Sequence, residues 1–316
     1  MNYRQIKPFL TYEEQINNLR DNKNLIINDY NKALKILEGR RYFSIIDGYK
    51  DFFYNSMSRI YMPGTTFDDI VALYDFDEDL RFLLFKCIEH IEQKIRSLVS
   101  YYFCKTYSVM QDEYLNPENY NDTQRNHNGI VRLIDVLDYT ANRGTDHIYV
   151  NYQRNTYGNV PLWVIVSTLS FGQISKMYEF MKPAVQSDIS KSFLGVNERE
   201  LLQYLKVLTS FRNKCAHGER IYSSRSHTAI PDTVIHRKLD IPKRGDEYSQ
   251  GKTDVFAVVI AFRYLLSKDE FEKCKKELIK IISRFHKKSA SSDINALMER
   301  MGFPLNWKKI TMYRII

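Results

Sequence analysis

The sequence predicts an all-α protein, a helical bundle with additional helices at both ends of the chain. Three observations support this fold class. Apolar residues recur at helical spacing from Phe76 to about Thr106 and again after Asn197, at Leu201, Leu202, Leu205, Leu208 and Phe211. Capping-box patterns precede several such stretches, as at Thr11–Glu14, Asn197–Glu200 and Ser267–Glu270. No Gly-rich phosphate loop or internal repeat points to another architecture.

The first 61 residues predict a small helical subdomain. Three helices are expected there, and Gly39 is a plausible end for the second. They cover Thr11 to Leu19, Asn28 to Glu38 and Arg40 to Tyr54. We expect a second, larger domain from residue 62 to residue 316.

The larger domain begins at the turn Met62-Pro63-Gly64. Thr66 is expected to cap a short helix through Leu73, and a long amphipathic helix follows from Phe76. Its polar side includes Glu89, His90, Glu92, Lys94 and Arg96. The spacing of Glu89, His90 and Glu92 spreads them around the helix, so we expect solvated charges with helical pairing rather than a metal site.

The middle of the chain alternates helices with polar connections. We expect turns over 107–122 and a loop over 143–159, where Gly144 and Gly158 interrupt the pattern. Helices are predicted over 123–142, 160–169, 173–181, 183–193 and from Asn197 onward.

The pattern becomes irregular after Tyr222. Residues 223–252 predict a long loop, with a short hairpin as one possibility for Thr233 to Ile241. Helical patterns resume over 254–266, 267–286 and 291–301.

Composition is that of a globular protein, with 44% hydrophobic and 27% charged residues. No apolar run approaches the roughly 18 residues needed to cross a bilayer, so no membrane partner is expected. Four scattered cysteines form no CxxC pair and favour reduced thiols, which predicts a cytoplasmic protein.

Positive charge is concentrated in the last third of the chain. Residues 1–200 carry 23 Lys and Arg against 26 Asp and Glu, whereas residues 201–316 carry 23 against 12. Such a basic region would attract an RNA backbone and make binding sensitive to salt. A solvated basic surface without a ligand is the alternative.

The stretch from Phe211 to His217 combines groups that suit phosphodiester chemistry. Asn213 and His217 are four apart and project from one helix face. Arg212 and His217 are roughly 140° apart around the axis and about 7.5 Å apart along it. One helix therefore does not close both around a single phosphate. A second copy packed across a two-fold axis would bring two Arg-His sets into one cleft, which predicts a homodimer.

Each group has a chemical role in this interpretation. An imidazole titrates near neutral pH and can move a proton, so His217 suits a general acid or base. A guanidinium offers bidentate donors to phosphate oxygens, which is the role expected of Arg212. RNA brings its own nucleophile, the 2′-hydroxyl, so the reaction requires neither metal nor cofactor. By spacing alone, the same residues also fit an ordinary exposed helix edge.

The stretch Arg212 to His217, followed by Glu219-Arg220-Ile221-Tyr222, resembles the Arg-x4-His motif of HEPN ribonucleases. More narrowly, the chain resembles the Abi family of abortive-infection proteins, of the AbiD/AbiF-like type. Four further segments are similar to signatures of that family and occur in the expected order. They are Thr65 to Ile70 with Leu73 to Asp77 and Leu80-Arg81, Val160 to Trp163, Leu169 to Gly172, and Met301 to Pro304 with Trp307.

The resemblance implies a HEPN-like fold, metal-independent endoribonuclease activity and a role in antiphage defence or toxin–antitoxin control. It assigns catalysis to Arg212, Asn213 and His217, with Asn213 orienting the imidazole or the phosphate. RNA is the implied partner as substrate, and a noncoding RNA is a candidate inhibitor. Gly218 departs from the family pattern, because many relatives carry a second histidine there. Four basic residues are candidates for RNA binding: Lys214, Arg220, Lys275 and Lys276.

Two further functions remain open at this point. The same fold could serve as a non-catalytic RNA-binding module that keeps the basic face. It could also serve as an interaction adaptor whose helix 197–217 dimerises. The presence of both Arg212 and His217 favours the enzyme.

Overall fold

The computed structural model describes residues 8–289 and 293–315. It is predominantly helical and confirms the predicted all-α class. Within the described residues, no helix combines the length and the apolarity needed to cross a lipid bilayer.

Fourteen α-helices are numbered here in chain order within the described residues. They are α1 (Tyr12–Asn17), α2 (Tyr30–Gly39), α3 (Phe67–Thr106), α4 (Gln111–Leu115), α5 (His127–Asn142), α6 (Ile148–Tyr157), α7 (Leu162–Ile165), α8 (Phe171–Phe180), α9 (Pro183–Ser190), α10 (Glu198–Ala216), α11 (Val234–Lys238), α12 (Val255–Leu265), α13 (Lys268–Lys288) and α14 (Ile294–Arg300).

Two antiparallel hairpins of two-residue strands complete the regular structure. In the first, β1 (Tyr54–Asn55) pairs with β2 (Ile60–Tyr61), and Tyr54 lies opposite Tyr61. In the second, β3 (Lys243–Arg244) pairs with β4 (Glu247–Tyr248), and Lys243 lies opposite Tyr248. Short π-helical turns cover Asn18–Asn22 and Phe43–Asp47, and 3₁₀ turns cover Lys50–Phe52, Pro117–Asn119 and Trp307–Thr311.

The chain divides into two compact units. The first contains residues 1–81 and 276–297, and the second contains residues 82–275 and 298–316. The domain boundary expected after residue 61 stays a prediction.

Polar residues define the start of α3 in the first unit. Thr66 and Asp69 form reciprocal bonds, since the Thr66 N–H donates to Asp69 Oδ2 at 2.9 Å and the Asp69 N–H to Thr66 Oγ1 at 3.1 Å. Further along, Arg81 Nη1 and Tyr49 Oη both donate to the buried Asp77 carboxylate, at 2.8 and 2.7 Å. The segment that resembles the first family signature thus caps and anchors the longest helix.

Several local expectations were wrong. The helix that begins at Phe67 continues without a break to Thr106, because nothing between Leu73 and Phe76 ends it. The predicted loop over 143–159 contains α6, which buries only Val150 and so shows no apolar stripe in the sequence. In place of the single helix expected over 40–54, the chain forms a π-helical turn at Phe43–Asp47, a 3₁₀ turn at Lys50–Phe52 and the start of β1 at Tyr54.

The segment 223–252 also differs from expectation. Thr233 caps the short helix α11, and the hairpin lies later, at β3 and β4. His236 is fully buried here. Its Nδ1 accepts the Thr233 N–H at 3.1 Å, and its Nε2 lies 2.9 Å from the Gly251 carbonyl oxygen. The ring stacks on Tyr248, with centroids 4.8 Å apart.

The core of the second unit surrounds α10, which packs against α8, α9 and α12. Helix α12 is buried on almost every side, which explains its continuous apolar sequence. The last described segment closes this core. Gly302 has a positive φ of 80°, and a Cβ atom there would lie 2.0 Å from Asp254 Oδ2. Phe303 packs on Phe256 with ring centroids 4.9 Å apart.

Candidate functional site at the end of α10

Helix α10 begins with the predicted capping box. The Asn197 side chain accepts the Glu200 N–H at 2.9 Å, and the Glu200 carboxylate accepts the Asn197 N–H at 3.0 Å. Its buried face differs slightly from the expected stripe, because Leu202 is only half-buried. The fully buried positions are Leu201, Tyr204, Leu205, Val207, Leu208 and Phe211.

The helix ends at the motif with a Schellman turn. The Glu219 N–H donates to the Lys214 carbonyl at 2.9 Å, and the Gly218 N–H donates to the Cys215 carbonyl at 3.2 Å. This turn needs a left-handed residue after the C-cap, and Gly218 supplies it with φ 68°. His217 is thereby the C-cap residue, at the very end of α10. Glycine at position 218 therefore has a conformational reason.

Arg212 lies one turn before the helix end and is oriented by α3. Its Nε atom is 3.7 Å from Glu92 Oε2, and its side chain is 30% exposed. The guanidinium carbon also lies 5.5 Å from the centroid of the Phe85 ring. A carboxylate and an aromatic face thus hold the guanidinium from one side.

The Glu92 carboxylate is shared between two arginines. Glu92 and Arg96 are both buried, at 5% and 9% exposure. Arg96 Nη2 donates to Glu92 Oε1 and, at 2.6 Å, to the Leu169 carbonyl. Arg96 Nη1 donates to the Val166 carbonyl. The expectation that these charges are solvated was wrong, because the helical pair faces inward and binds the connection between α7 and α8.

Arg96 and Arg212 therefore differ in how the protein uses their donors. Arg96 directs its N–H groups to a carboxylate and two carbonyls. Arg212 makes no hydrogen bond to any described residue, and its Nε atom is buried without a hydrogen-bond partner. Arg96 neutralises the Glu92 charge, so the cluster retains one net positive charge on Arg212. This is the arrangement that an anionic ligand requires.

The other predicted catalytic residues are exposed. Asn213 and His217 both face solvent at the end of α10. The His217 N–H donates to the Asn213 carbonyl at 3.0 Å, so one helical turn joins the two residues. The structure thus places Arg212, Asn213 and His217 together on the last turn and its cap. Their catalytic roles stay predictions.

The candidate RNA-binding residues have different surroundings. Lys214 donates from Nζ to the Arg225 carbonyl at 2.9 Å. The Arg220 guanidinium lies 5.8 Å from the Tyr222 ring centroid. Lys275 donates from Nζ to Thr311 Oγ1, and burial lowers its pKa. Lys276 is an exposed residue of the first unit.

The alternative metal site on α3 is not assembled. His90 Nδ1 lies 3.4 Å from Glu270 Oε1 and not from a side chain of its own helix. Glu92 is held by Arg96 and Arg212. Among the described residues, no group of three or more His, Cys, Asp and Glu is placed to hold a metal ion.

Glu92 is the site residue that sequence reasoning missed. Its only signal was the i, i+4 spacing with Arg96, which buried and solvated helical pairs share. The Phe85 contact gave no sequence signal either.

Comparison with known proteins identifies the family. The model of the family described as Abi-like protein matches residues 35–223, more than half of the chain. The matched region includes Glu92, Arg96 and the whole of α10. Neither the curated proteins nor the solved structures gave a match. Because the match extends from α2 through the motif, this chain belongs to the Abi-like protein family, which points to abortive-infection defence.

Proposed function

We propose that this protein is a metal-independent endoribonuclease of the HEPN type, related to AbiD/AbiF-like proteins and acting in antiphage defence or as a toxin. The observation that carries the proposal is the state of Arg212. Its guanidinium is oriented by Glu92 and Phe85, yet its donors make no hydrogen bond within the described part of the chain. An exposed imidazole, His217, follows on the same helix end.

The reaction is transesterification within the RNA. The 2′-hydroxyl attacks the adjacent phosphorus while an imidazole takes its proton. The 2′-O–P bond forms, the P–O5′ bond breaks, and the leaving 5′-oxygen receives a proton. His217 performs one of these proton transfers. Arg212 stabilises the charge that grows on the phosphoryl oxygens, and Asn213 orients the imidazole or the phosphate.

The proposed active form is a homodimer. Arg212 and His217 leave α10 in different directions, so one helix presents the two groups without enclosing a phosphate. Two motif helices that face each other would surround the phosphate with two Arg-His sets. A noncoding RNA that occupies this cleft would act as an inhibitor, as an antitoxin does.

The test is RNA cleavage by purified protein in EDTA, with analysis of the RNA ends. We expect cleavage to persist and to leave cyclic phosphate or 3′-phosphate ends. We expect His217→Ala to lower the rate by about 10²–10⁴ without a large change in RNA affinity. His227→Ala, which alters an exposed histidine outside the motif, is the control.

Strict dependence on added magnesium would contradict this mechanism. RNA binding without cleavage, in wild-type protein and in His217→Ala alike, would instead favour the non-catalytic RNA-binding module.

A further inference from the structure

A basic cleft lies in the second unit, away from the motif residues. Its volume is about 560 Å³, and it is formed by α5, α8 and α10. We call it the α5–α8 cleft. It is lined by four cationic side chains, Arg125, Arg132, Lys176 and Lys206, and by one carboxylate, Glu179.

The floor of the cleft is apolar and tightly packed. A Cβ atom on Gly129 would lie 2.4 Å from Phe180 Cζ, so only glycine lets α5 and α8 approach this closely. Leu133 and Phe180 are both buried, with 5% exposure each. Gly129, Leu133 and Val136 share one face of α5 with Arg132. The floor is thus suited to a flat apolar group such as a base.

The lysines of the cleft are partly neutralised. Lys176 and Lys206 both bind the Glu179 carboxylate, at 2.7 and 2.6 Å. Burial alone would raise the pKa of Glu179, but the two ammonium groups outweigh it and the pKa is lowered. Glu179 therefore remains charged and cancels one of the two lysines.

The arginines of the cleft are not neutralised. Arg125 and Arg132 are exposed, and neither forms an ion pair or a side-chain hydrogen bond with a described residue. The cleft therefore carries a net charge of three positive units from its lining residues. Unpaired guanidiniums above an apolar floor match the two parts of a nucleotide, the phosphate and the base.

A second basic pocket lies in the first unit, and most of its cations are paired with carboxylates. Lys32 pairs with Asp68 at 2.5 Å, and Arg40 pairs with Asp75 at 2.8 Å. Lys288 also lies 3.7 Å from Asp75. Three of the four cations in that pocket, all except Lys35, pair with its two carboxylates, whereas neither cleft arginine has an ion-pair partner among the described residues.

We infer that the α5–α8 cleft binds a single-stranded segment of RNA through its phosphates and one or more bases. The cations are spread over three elements, which suits successive phosphates better than one phosphate group. The identification of the ligand as RNA rests on the proposed function. The inference assigns a part in RNA recognition to Arg125, Arg132 and Lys176, which lie before position 201, where the overall charge of the sequence gives no indication of it.

The cleft is also connected to the motif. Lys206 and Arg212 are on the same helix, about 9 Å apart along its axis. Ser170 and Gly172 line the cleft, and Leu169, directly before them, accepts a hydrogen bond from Arg96. An RNA bound both in the cleft and by Arg212 would therefore contact two parts of the same helix.

The test measures the affinity of a short single-stranded RNA at several salt concentrations, in the His217→Ala background to prevent cleavage. We expect Arg125→Ala/Arg132→Ala to weaken binding at least tenfold at low salt. The slope of log affinity against log salt should flatten by about 1.4, or about 0.7 for each phosphate contact. The matched control is Arg199→Ala/Arg237→Ala, which removes two exposed arginines outside the cleft.

Equal losses in the cleft and control variants would overturn the inference. Unchanged RNA affinity, with loss of AMP binding in the cleft variant, would also overturn it and would assign the cleft to a free nucleotide. If wild-type protein fails to cleave RNA but the cleft variant alone loses RNA affinity, the inference holds and the proposed catalysis fails. If wild-type protein cleaves RNA and the cleft variant keeps its affinity, the proposed catalysis holds and the inference fails.

Discussion

Arg212 Nε lies 3.7 Å from Glu92 Oε2, and the other oxygen of the same carboxylate binds Arg96. The buried Glu92 carboxylate therefore contacts two arginines, and these have different surroundings. Arg96 ties α3 to the connection before α8, whereas Arg212 is positioned but makes no hydrogen bond within the described chain. Arg96 is thus a structural residue, and Arg212 is the residue that the proposed function assigns to the RNA phosphate.

Replacing each arginine by methionine should separate stability from activity. Arg96→Met leaves a buried carboxylate and two carbonyls without their donor, so we expect a loss of about 3–5 kcal/mol in the free energy of unfolding. Arg212→Met should cost about 1 kcal/mol or less, but should lower RNA cleavage by about 10²–10³. Denaturant unfolding and cleavage assays measure the two effects. Comparable destabilisation by both substitutions would show that Arg212 is a structural residue.

Mixing two inactive variants should test whether the active site is formed between the motif helices of two protomers. A heterodimer of an Arg212→Ala chain with a His217→Ala chain retains one guanidinium and one imidazole, on different protomers. If the motif helices face each other, we expect mixed dimers to regain cleavage that neither variant shows alone. Sedimentation analysis should find dimers in all samples. Dimers without any regained activity would argue against a cleft built from both protomers.

Folding stability should depend on pH through His236. Burial lowers the pKa of His236 to about 4. Its Nδ1 accepts the Thr233 N–H, so a proton on Nδ1 would point at another N–H donor. Between pH 6.5 and 4 the unfolded chain binds a proton that the folded chain does not. The His236 contribution is therefore complete above pH 6.5 and decreases as the pH falls, by up to about 3 kcal/mol.

The measurement must isolate His236, because Asp254 titrates in the same range. Burial raises the Asp254 pKa to about 6, so its effect on stability has the opposite sign. We therefore expect the difference in unfolding free energy between wild type and His236→Gln to shrink from pH 7 to pH 4. The exposed His227→Gln is the control. A difference that is constant with pH would contradict the prediction.

Two glycines with similar backbone angles should respond differently to alanine. Gly158 has φ 64° with no atom within 4 Å of a Cβ position, so Gly158→Ala should cost only the left-handed strain, about 1–2 kcal/mol. Gly302→Ala adds a collision with the Asp254 carboxylate, and we expect a total loss of about 3–5 kcal/mol. Thermal unfolding of both variants provides the comparison. Equal losses would mean that Asp254 moves aside without penalty.

The sequence was informative where local chemistry decides the structure. Asn197 and Glu200 correctly mark the start of α10, and the apolar run after Asp254 is α12. It was uninformative where burial depends on the rest of the fold. Glu92 and Arg96 have the pattern of a surface pair, and α6 has no stripe because only Val150 is buried. The motif predicted Arg212 and His217. Glu92 orients the Arg212 guanidinium from another helix, and no sequence motif identifies a residue in that role.

The contact between Gly302 and Asp254 has a consequence for synthesis of the chain. The unit that carries the motif includes residues 298–316, so its core is incomplete until those residues have been made. A ribosome-bound chain that already displays Arg212 and His217 still lacks the packing of Phe303 against Phe256 of α12, and of Trp307 against Phe303. Completion of the motif-bearing unit therefore waits for a segment that follows the motif in the sequence.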